Sequence, residues 1–164
     1  MLFRSLSLKN IAVNLSGRQF KQLDLVSNIE KIILDSGIQP GFLELEITET
    51  ILMENLDTVT IKLKQLSEMG IHLSLDDFGT GYSSLSYLRD FAIDKLKIDR
   101  SFVNEINTRN TQRSIISAII AMAHTLGLKV VAEGIEEPEQ LKFLIDQNCD
   151  IAQGFLFSKP LPAN

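Results

Sequence analysis

The chain has 164 residues, 45% of them apolar, with a formal charge of −5, which suits one globular domain. The acidic balance argues against a nucleic-acid polymer as partner, because phosphate-tracking proteins usually carry a basic stripe. One cysteine, Cys149, excludes intrachain disulfides and cysteine-built metal knuckles, and two histidines are too few for a histidine-rich centre.

Any metal is therefore expected to be held mainly by oxygen, as Mg²⁺ or Mn²⁺ is. Met1 to Asn10 alternates leucine with Arg, Ser and Lys and lacks the apolar stretch of a signal peptide. The most apolar segment, Ile115 to Ala123, is too short to span a bilayer, so no membrane segment and a cytoplasmic location are expected.

Short β-rich runs alternate with longer amphipathic ones. A strand is expected at Ile11–Leu15. A helix follows from Gln19 to Asp35, with Phe20, Leu23, Val26, Ile29 and Ile33 at helical spacing and a stop at Ser36-Gly37. Leu43–Thr48 reads as the second strand and Leu56 to Met69 as a helix capped by Gly70. Strands at His72–Asp76 and Lys95–Asp99 precede one long helix, Ser101 to Leu126. The strand Lys129–Glu133, a helix from Glu137 to Gln147 with Pro138 in its first turn, and a strand at Ile151–Gly154 complete the series. Six strands separated by helical patterns predict a parallel sheet with right-handed crossovers. No low-complexity linker divides the chain, so one domain is expected.

An open doubly wound sheet and a closed eight-stranded barrel both fit that rhythm. Strand alternation places Ala12 with Asn14, Glu44 with Glu46, Ser74 with Asp76, Lys95 with Lys97 and Asp99, and Val131 with Glu133 on one face. Polar groups at the C-terminal ends of five strands suit a barrel mouth better. A full barrel usually needs about 250 residues, which leaves this chain short by roughly two strands.

The residues that carry chemistry sit at those ends. Glu44 and Glu46 on one face of a parallel strand are buried charges, costly without a partner, and a cation at the strand end supplies one. The plainer reading is a solvated strand face followed by a helix cap. Asp76 and Asp77, where a strand is expected to break into a loop, can bridge two metals; Gly79 and Gly81 let the backbone approach a ligand. Alternatively this is a glycine turn with Asp77 as a cap. Lys97 and Asp99 form either an internal ion pair or a site in which the lysine orients a water or stabilises a phosphate.

Glu133 can serve as general base or metal ligand, whereas a helix-terminal role fits Glu136 and Glu137 better. Gln153 either hydrogen-bonds a water or phosphate oxygen or simply fills the barrel. His124 reads as a packing or surface residue. Phe155 and Phe157 read as core aromatics, with base stacking as the alternative.

Taken together, Val-Asn-Leu-Ser at 13–16, Glu-Ile-Thr-Glu at 46–49, Asp-Asp-Phe-Gly-Thr-Gly-Tyr-Ser-Ser-Leu at 76–85, Lys-Ile-Asp at 97–99, Ala-Glu-Gly at 132–134 and Gln-Gly-Phe-Leu-Phe-Ser-Lys-Pro at 153–160 resemble the EAL family of bacterial cyclic di-GMP phosphodiesterases. The resemblance implies a TIM-like (β/α) barrel with one antiparallel strand, in which two Mg²⁺ or Mn²⁺ ions serve hydrolysis of cyclic di-GMP to linear pGpG. It implies that Asn14, Glu46 and Asp76 ligate the first metal and that Asp76 and Asp77 reach the second. Glu133 is implied as ligand or base, and Lys97 as the residue positioning the attacking water. Glu49 is implied to anchor the Asp-Asp-Phe-Gly loop, which in the family couples metal binding to dimer contacts. Asp99, Glu136 and Gln153 match family positions near the substrate or the waters.

The Glu-Ala-Leu motif that names the family is absent from the chain, and its glutamate is a first-metal ligand. Residues 1–164 are thus expected to form a single partial EAL domain, with about six of eight strands and the first two missing. Its apolar edges are expected to pair in a homodimer or with a chain that supplies strands. Beside the phosphodiesterase stand two other readings: a non-catalytic cyclic di-GMP receptor or interaction module, and a structural fragment.

Overall fold

The computed structural model describes residues 10–52, 55–79, 88–107 and 110–161. Among them six strands form one sheet in chain order: β1 (Ile11–Leu15), β2 (Leu43–Thr48), β3 (His72–Phe78), β4 (Lys95–Ile98), β5 (Lys129–Ala132) and β6 (Ile151–Ala152). Every neighbouring pair is parallel. Parallel neighbours need a crossover, and helices supply it for every pair except β3 and β4, whose connection lies partly outside the described residues. The described helices are α1 (Gly17–Phe20), α2 (Leu25–Ser36), α3 (Glu49–Leu52), α4 (Leu56–Glu68), α5 (Arg100–Asn104), α6 (Asn110–Thr125) and α7 (Pro138–Asp146).

Strand order decides between the two architectures. A doubly wound sheet reverses direction at a switch point, whereas a barrel adds strands in sequence. The unbroken order β1 to β6 is that of a TIM-like barrel, and it is incomplete: among the described residues β1 and β6 each have a strand on one side only. No described helix is long and apolar enough to cross a membrane.

Paired residues in a parallel sheet share a face, so the register separates two environments. On the outer face Ile47 pairs with Leu75, Leu75 with Leu96, Leu96 with Val130, and Ile98 with Ala132. All six are essentially inaccessible to solvent, together with Leu63 and Leu66 of α4, Ile116 of α6 and Leu144 of α7. Burying a side chain of this size contributes about 1.5–3 kcal/mol, so this layer holds helices to sheet. On the inner face Asn14 pairs with Glu46, Glu46 with Ser74, Ser74 with Lys95, and Lys97 with Val131. The alternation is thus apolar outward and polar inward.

Two expected helices are broken. The first splits into α1 and α2 because Lys62, buried on α4, donates to the carbonyls of Phe20 (2.6 Å) and Gln22 (2.8 Å) and holds that segment out of helix. A Ser16–Gln19 capping box starts α1 two residues before the expected Gln19. The long helix expected over 101–126 is two, α5 and α6, and Arg113 donates to the carbonyl of Ile106 (2.9 Å) across the break.

Strand ends differ as well. β3 runs on to Phe78, while β4, β5 and β6 stop at Ile98, Ala132 and Ala152. Phe155 and Phe157, read as core aromatics, are 55% and 54% exposed, because they follow the edge strand β6.

Candidate active site

Four side chains from four neighbouring strands or strand ends meet on the inner face. The Lys97 ammonium lies 2.7 Å from Glu46 Oε1, 3.1 Å from Asp76 Oδ1 and 2.7 Å from Glu133 Oε1. Their side chains are 7%, 13%, 14% and 21% exposed, in the order Lys97, Glu46, Asp76, Glu133, so the charges interact with little solvent between them. Burial pulls the Lys97 ammonium down, but hydrogen bonds to Glu133 and Glu46 outweigh it and hold the pKa well above the usual lysine range. Burial pushes the Glu133 carboxyl up, against the lowering effect of Lys97.

The two aspartates owe their placement to a register shift. Between Leu75↔Leu96 and Phe78↔Ile98, β3 advances three residues while β4 advances two. The extra residue is a β-bulge, and Asp77 has φ +56°, the left-handed region, which aspartate tolerates better than most side chains. Strict alternation would put neighbours on opposite faces; the bulge breaks it inside the strand, where the sequence had placed a loop. The Asp77 N–H donates to Asp76 Oδ1 (3.0 Å). Asp77 itself is exposed, and its carboxyl is raised by desolvation and by the charges of Asp76 and Asp99.

The loop after the bulge is tied down by Glu49, 3% exposed at the start of α3, which accepts from the Gly79 N–H (3.2 Å). Gly79 has φ +97°, a conformation that other residues rarely adopt, so the turn favours glycine; a Cβ there would also lie 2.8 Å from Phe102 Cζ of α5. Gly81 lies outside the described residues.

The remaining expected site residues stand apart from the lysine cluster. Asn14 is the register neighbour of Glu46 and is exposed on the edge strand. Asp99 caps α5 by accepting from the Ser101 N–H (2.9 Å), and burial and that hydrogen bond act against each other to leave its carboxyl lowered. Lys97 pairs with three other carboxylates and not with Asp99. Glu136 is exposed, and its N–H donates to Gln140 Oε1 (2.9 Å). Gln153 is exposed, while its backbone joins Ala132 and Ile135.

Sequence reasoning missed a second charged layer below the first. Glu44, 6% exposed in its side chain, pairs with Lys95 and also accepts from Asn10. Both inner glutamates of β2 are therefore neutralised by lysines of β4, two strands away. Further out, Asp94 accepts from the Leu73 N–H (2.9 Å) and contacts His72 (3.3 Å), and Asp150 accepts from the Val130 N–H and contacts His124, both at 2.8 Å. The Lys-x-Lys spacing opposite Glu-x-Glu was the available signal for the lower layer.

Among the described residues no three carboxylate, imidazole or thiol groups form a ready metal cage. The carboxylates turn onto Lys97 instead. Three of them reaching one cation within 3.1 Å nevertheless form an oxygen-only donor set converging on a point, and that chemistry fits a hard divalent ion.

Residues 2–160 match the EAL domain family. The chain is 49% identical over 152 residues to the cyclic di-GMP phosphodiesterase NbdA of Pseudomonas aeruginosa, covering 93% of this chain and 19% of that protein. It is 47% identical over 153 residues to the signaling protein YkoW of Bacillus subtilis, again 93% of this chain and 19% of the relative. Among solved structures, the PaMucR phosphodiesterase in complex with c-di-GMP superposes with a TM-score of 0.91 at 47% identity, over 94% of this chain and 62% of that one. The manganese/cy-diGMP complex of BlrP1 from Klebsiella pneumoniae gives a TM-score of 0.85 at 35% identity, over 94% of this chain and 40% of that one. This chain thus spans about a fifth of the length of its curated relatives. With the barrel strand order and a family match over nearly its whole length, the chain belongs to the EAL domain family.

Proposed function

We propose that the chain is one incomplete EAL unit carrying most of a metal-dependent cyclic di-GMP phosphodiesterase centre, which opens the cyclic substrate to linear pGpG. The observation that carries this reading is the convergence of Glu46, Asp76 and Glu133 on Lys97 at the C-terminal end of the strands. Relatives named as phosphodiesterases, and neighbours solved with cyclic di-GMP and manganese, support the substrate and the ion class.

In this reading Asn14, Glu46 and Asp76 would hold one Mg²⁺ or Mn²⁺, and Asp76 and Asp77 would reach a second, with Glu133 as a further ligand or as general base. Bound ions offset the negative charge of the phosphodiester and favour a deprotonated water. As general base, Glu133 would accept the proton of the attacking water. Lys97 would donate a hydrogen bond to that water or to a phosphate oxygen while the opposite P–O bond breaks, and the released ribose oxygen, which stays on the linear product, takes a proton from solvent. Glu49 fixes the bulged aspartates through Gly79, and Asp99, Glu136 and Gln153 line the approach of the substrate.

The exposed edge residues Ile11 and Val13 of β1, with Phe155 and Phe157 beyond β6, support pairing with a second copy or with a chain that supplies strands. Sedimentation checks this: a concentration-independent monomer would exclude self-pairing.

Incubation of the purified chain with cyclic di-GMP and Mn²⁺, followed by chromatography of pGpG, tests the main reading. Turnover lost in Glu133→Gln supports it. Binding without turnover in the unaltered chain replaces it with a cyclic di-GMP receptor, and absence of both leaves a structural fragment.

A further inference from the structure

Resting on the reading of this site as a divalent-metal centre, we propose that Lys97 is a resident stand-in for the metal, and that a divalent ion loads only as the Lys97 ammonium withdraws. One ammonium sits at the focus of Glu46, Asp76 and Glu133, within 3.1 Å of all three. The first proposed ion would draw on Glu46 and Asp76 and the second on Asp76, so each would need, at about 2.0–2.1 Å, a carboxylate that the ammonium already holds. Two cations sharing those oxygens repel strongly where water is excluded, so they compete for the position.

The surrounding structure allows the exchange. The β4 backbone is paired on both sides, Leu96 with Leu75 and Lys97 with Val131, so the strand itself is fixed. The side chain is a compact charge on a flexible four-carbon stem, which can swing aside without disturbing the sheet. The charge balance provides the drive. One ammonium against three carboxylates leaves the cluster formally anionic, and a doubly charged ion neutralises it better.

The floor of the barrel provides the contrast. There Lys95 faces a single carboxylate, Glu44, which also accepts from Asn10. That pair is balanced and offers a metal nothing. Of these two lysines, the upper one alone faces more negative charge than it neutralises. The arrangement lets the metal-free chain fold with its carboxylates already gathered, and it makes the same side chain available to substrate after metal entry.

Calorimetric titration with Mn²⁺ compares the unaltered chain with Lys97→Gln, which removes the charge and keeps a hydrogen-bond donor. Removing the competitor should tighten Mn²⁺ binding by about tenfold or more. The metal-free variant should also melt lower than the unaltered chain and gain more from Mn²⁺. Equal or weaker binding in the variant overturns the inference while leaving the metal centre intact. A crystal structure of the unaltered chain with Mn²⁺ gives the same answer without any variant. Nζ should stand beyond about 4 Å from at least two of the three carboxylates, the usual ion-pair limit. Retention of all three contacts beside a bound ion overturns the inference. If Mn²⁺ binds neither protein, the metal reading falls and the inference falls with it.

Discussion

Gly154→Ala probes the joint on which Glu133 depends. A Cβ at residue 154 would lie 2.7 Å from the carbonyl carbon of Ile135, and closer still to its oxygen and nitrogen. All three are backbone atoms, so no side chain can rotate away to make room. Relief requires the two segments to separate, and two backbone hydrogen bonds span them: Ile135 N–H to Gln153 O (3.0 Å) and Leu156 N–H to Ile135 O (2.9 Å). Overpacking costs about 1–3 kcal/mol, and each lost bond adds about 0.5–1.5 kcal/mol, for a total of roughly 2–6 kcal/mol. In a domain of this size each kcal/mol lowers Tm by about 2–4 °C, so the loss should be roughly 4–24 °C. Thermal melting followed by circular dichroism measures it. Gly41→Ala is the control, since its Cβ would meet nothing nearer than Gly70 O at 4.0 Å. If Gly154→Ala melts within about 2 °C of the unaltered chain, the close approach of β6 to the Gly134–Ile135 turn is wrong, and the placement of Glu133 with it.

Other tests address separate parts of the molecule. Glu49→Ala removes the charged acceptor of the Gly79 N–H and should cost about 1.5–3 kcal/mol, with weaker Mn²⁺ binding through the loosened aspartates; unchanged melting and affinity would refute the anchoring role. Burial alone would raise the Asp150 carboxyl, but the Val130 N–H and His124 outweigh it and hold its pKa below the usual value. A lowered carboxyl contributes stability that is fully present above about pH 4 and is lost as pH falls through the folded value. Asp150→Asn should therefore lie furthest below the unaltered chain above that pH and converge with it toward pH ~2; a constant gap across the range refutes the linkage. Burial pushes the Cys149 thiol up, and the thiol donates to the carbonyls of Val130 and Ile151. Iodoacetamide at pH ~8 should label it at least about tenfold more slowly in the folded chain than in urea, and equal rates would contradict its packing.

Much of this architecture can be read from residue order, because period-two alternation and helical spacing are local properties. The six strands lie where alternating Leu, Ile and Val predict them, and the inner face carries Glu44, Glu46, Ser74, Asp76, Lys95 and Lys97 as alternation requires. What escaped depends on contacts between distant segments. Lys62 interrupts the first helix from forty or more positions away, and no local pattern at Phe20 to Gln22 announces it. The bulge at Asp76–Asp77 is a mismatch of register between two strands, which neither strand shows alone. The two inward glutamates of β2 suggest a cation at the strand end, and in the structure lysines of β4 lie against them. Asp99 was within reach of local reasoning: Asp-Arg-Ser directly ahead of a helical run is a capping signature, and the structure uses it as one.

The position of those lysines along the chain bears on how the protein is made. Glu44 and Glu46 emerge from the ribosome some fifty residues ahead of Lys95 and Lys97, their partners. Until β4 arrives, a sheet of β1 to β3 alone would hold three carboxylates, Glu44, Glu46 and Asp76, on its inner face with no lysine of β4 to face them, a costly state. We predict that nascent chains ending before residue 95 stay protease-sensitive and that resistance appears in one step once β4 has cleared the exit tunnel. Proteolysis of chains arrested at successive lengths would show that step, and gradual protection strand by strand would count against it. On this reading β4, among the shortest strands of the sheet, decides when the rest can close.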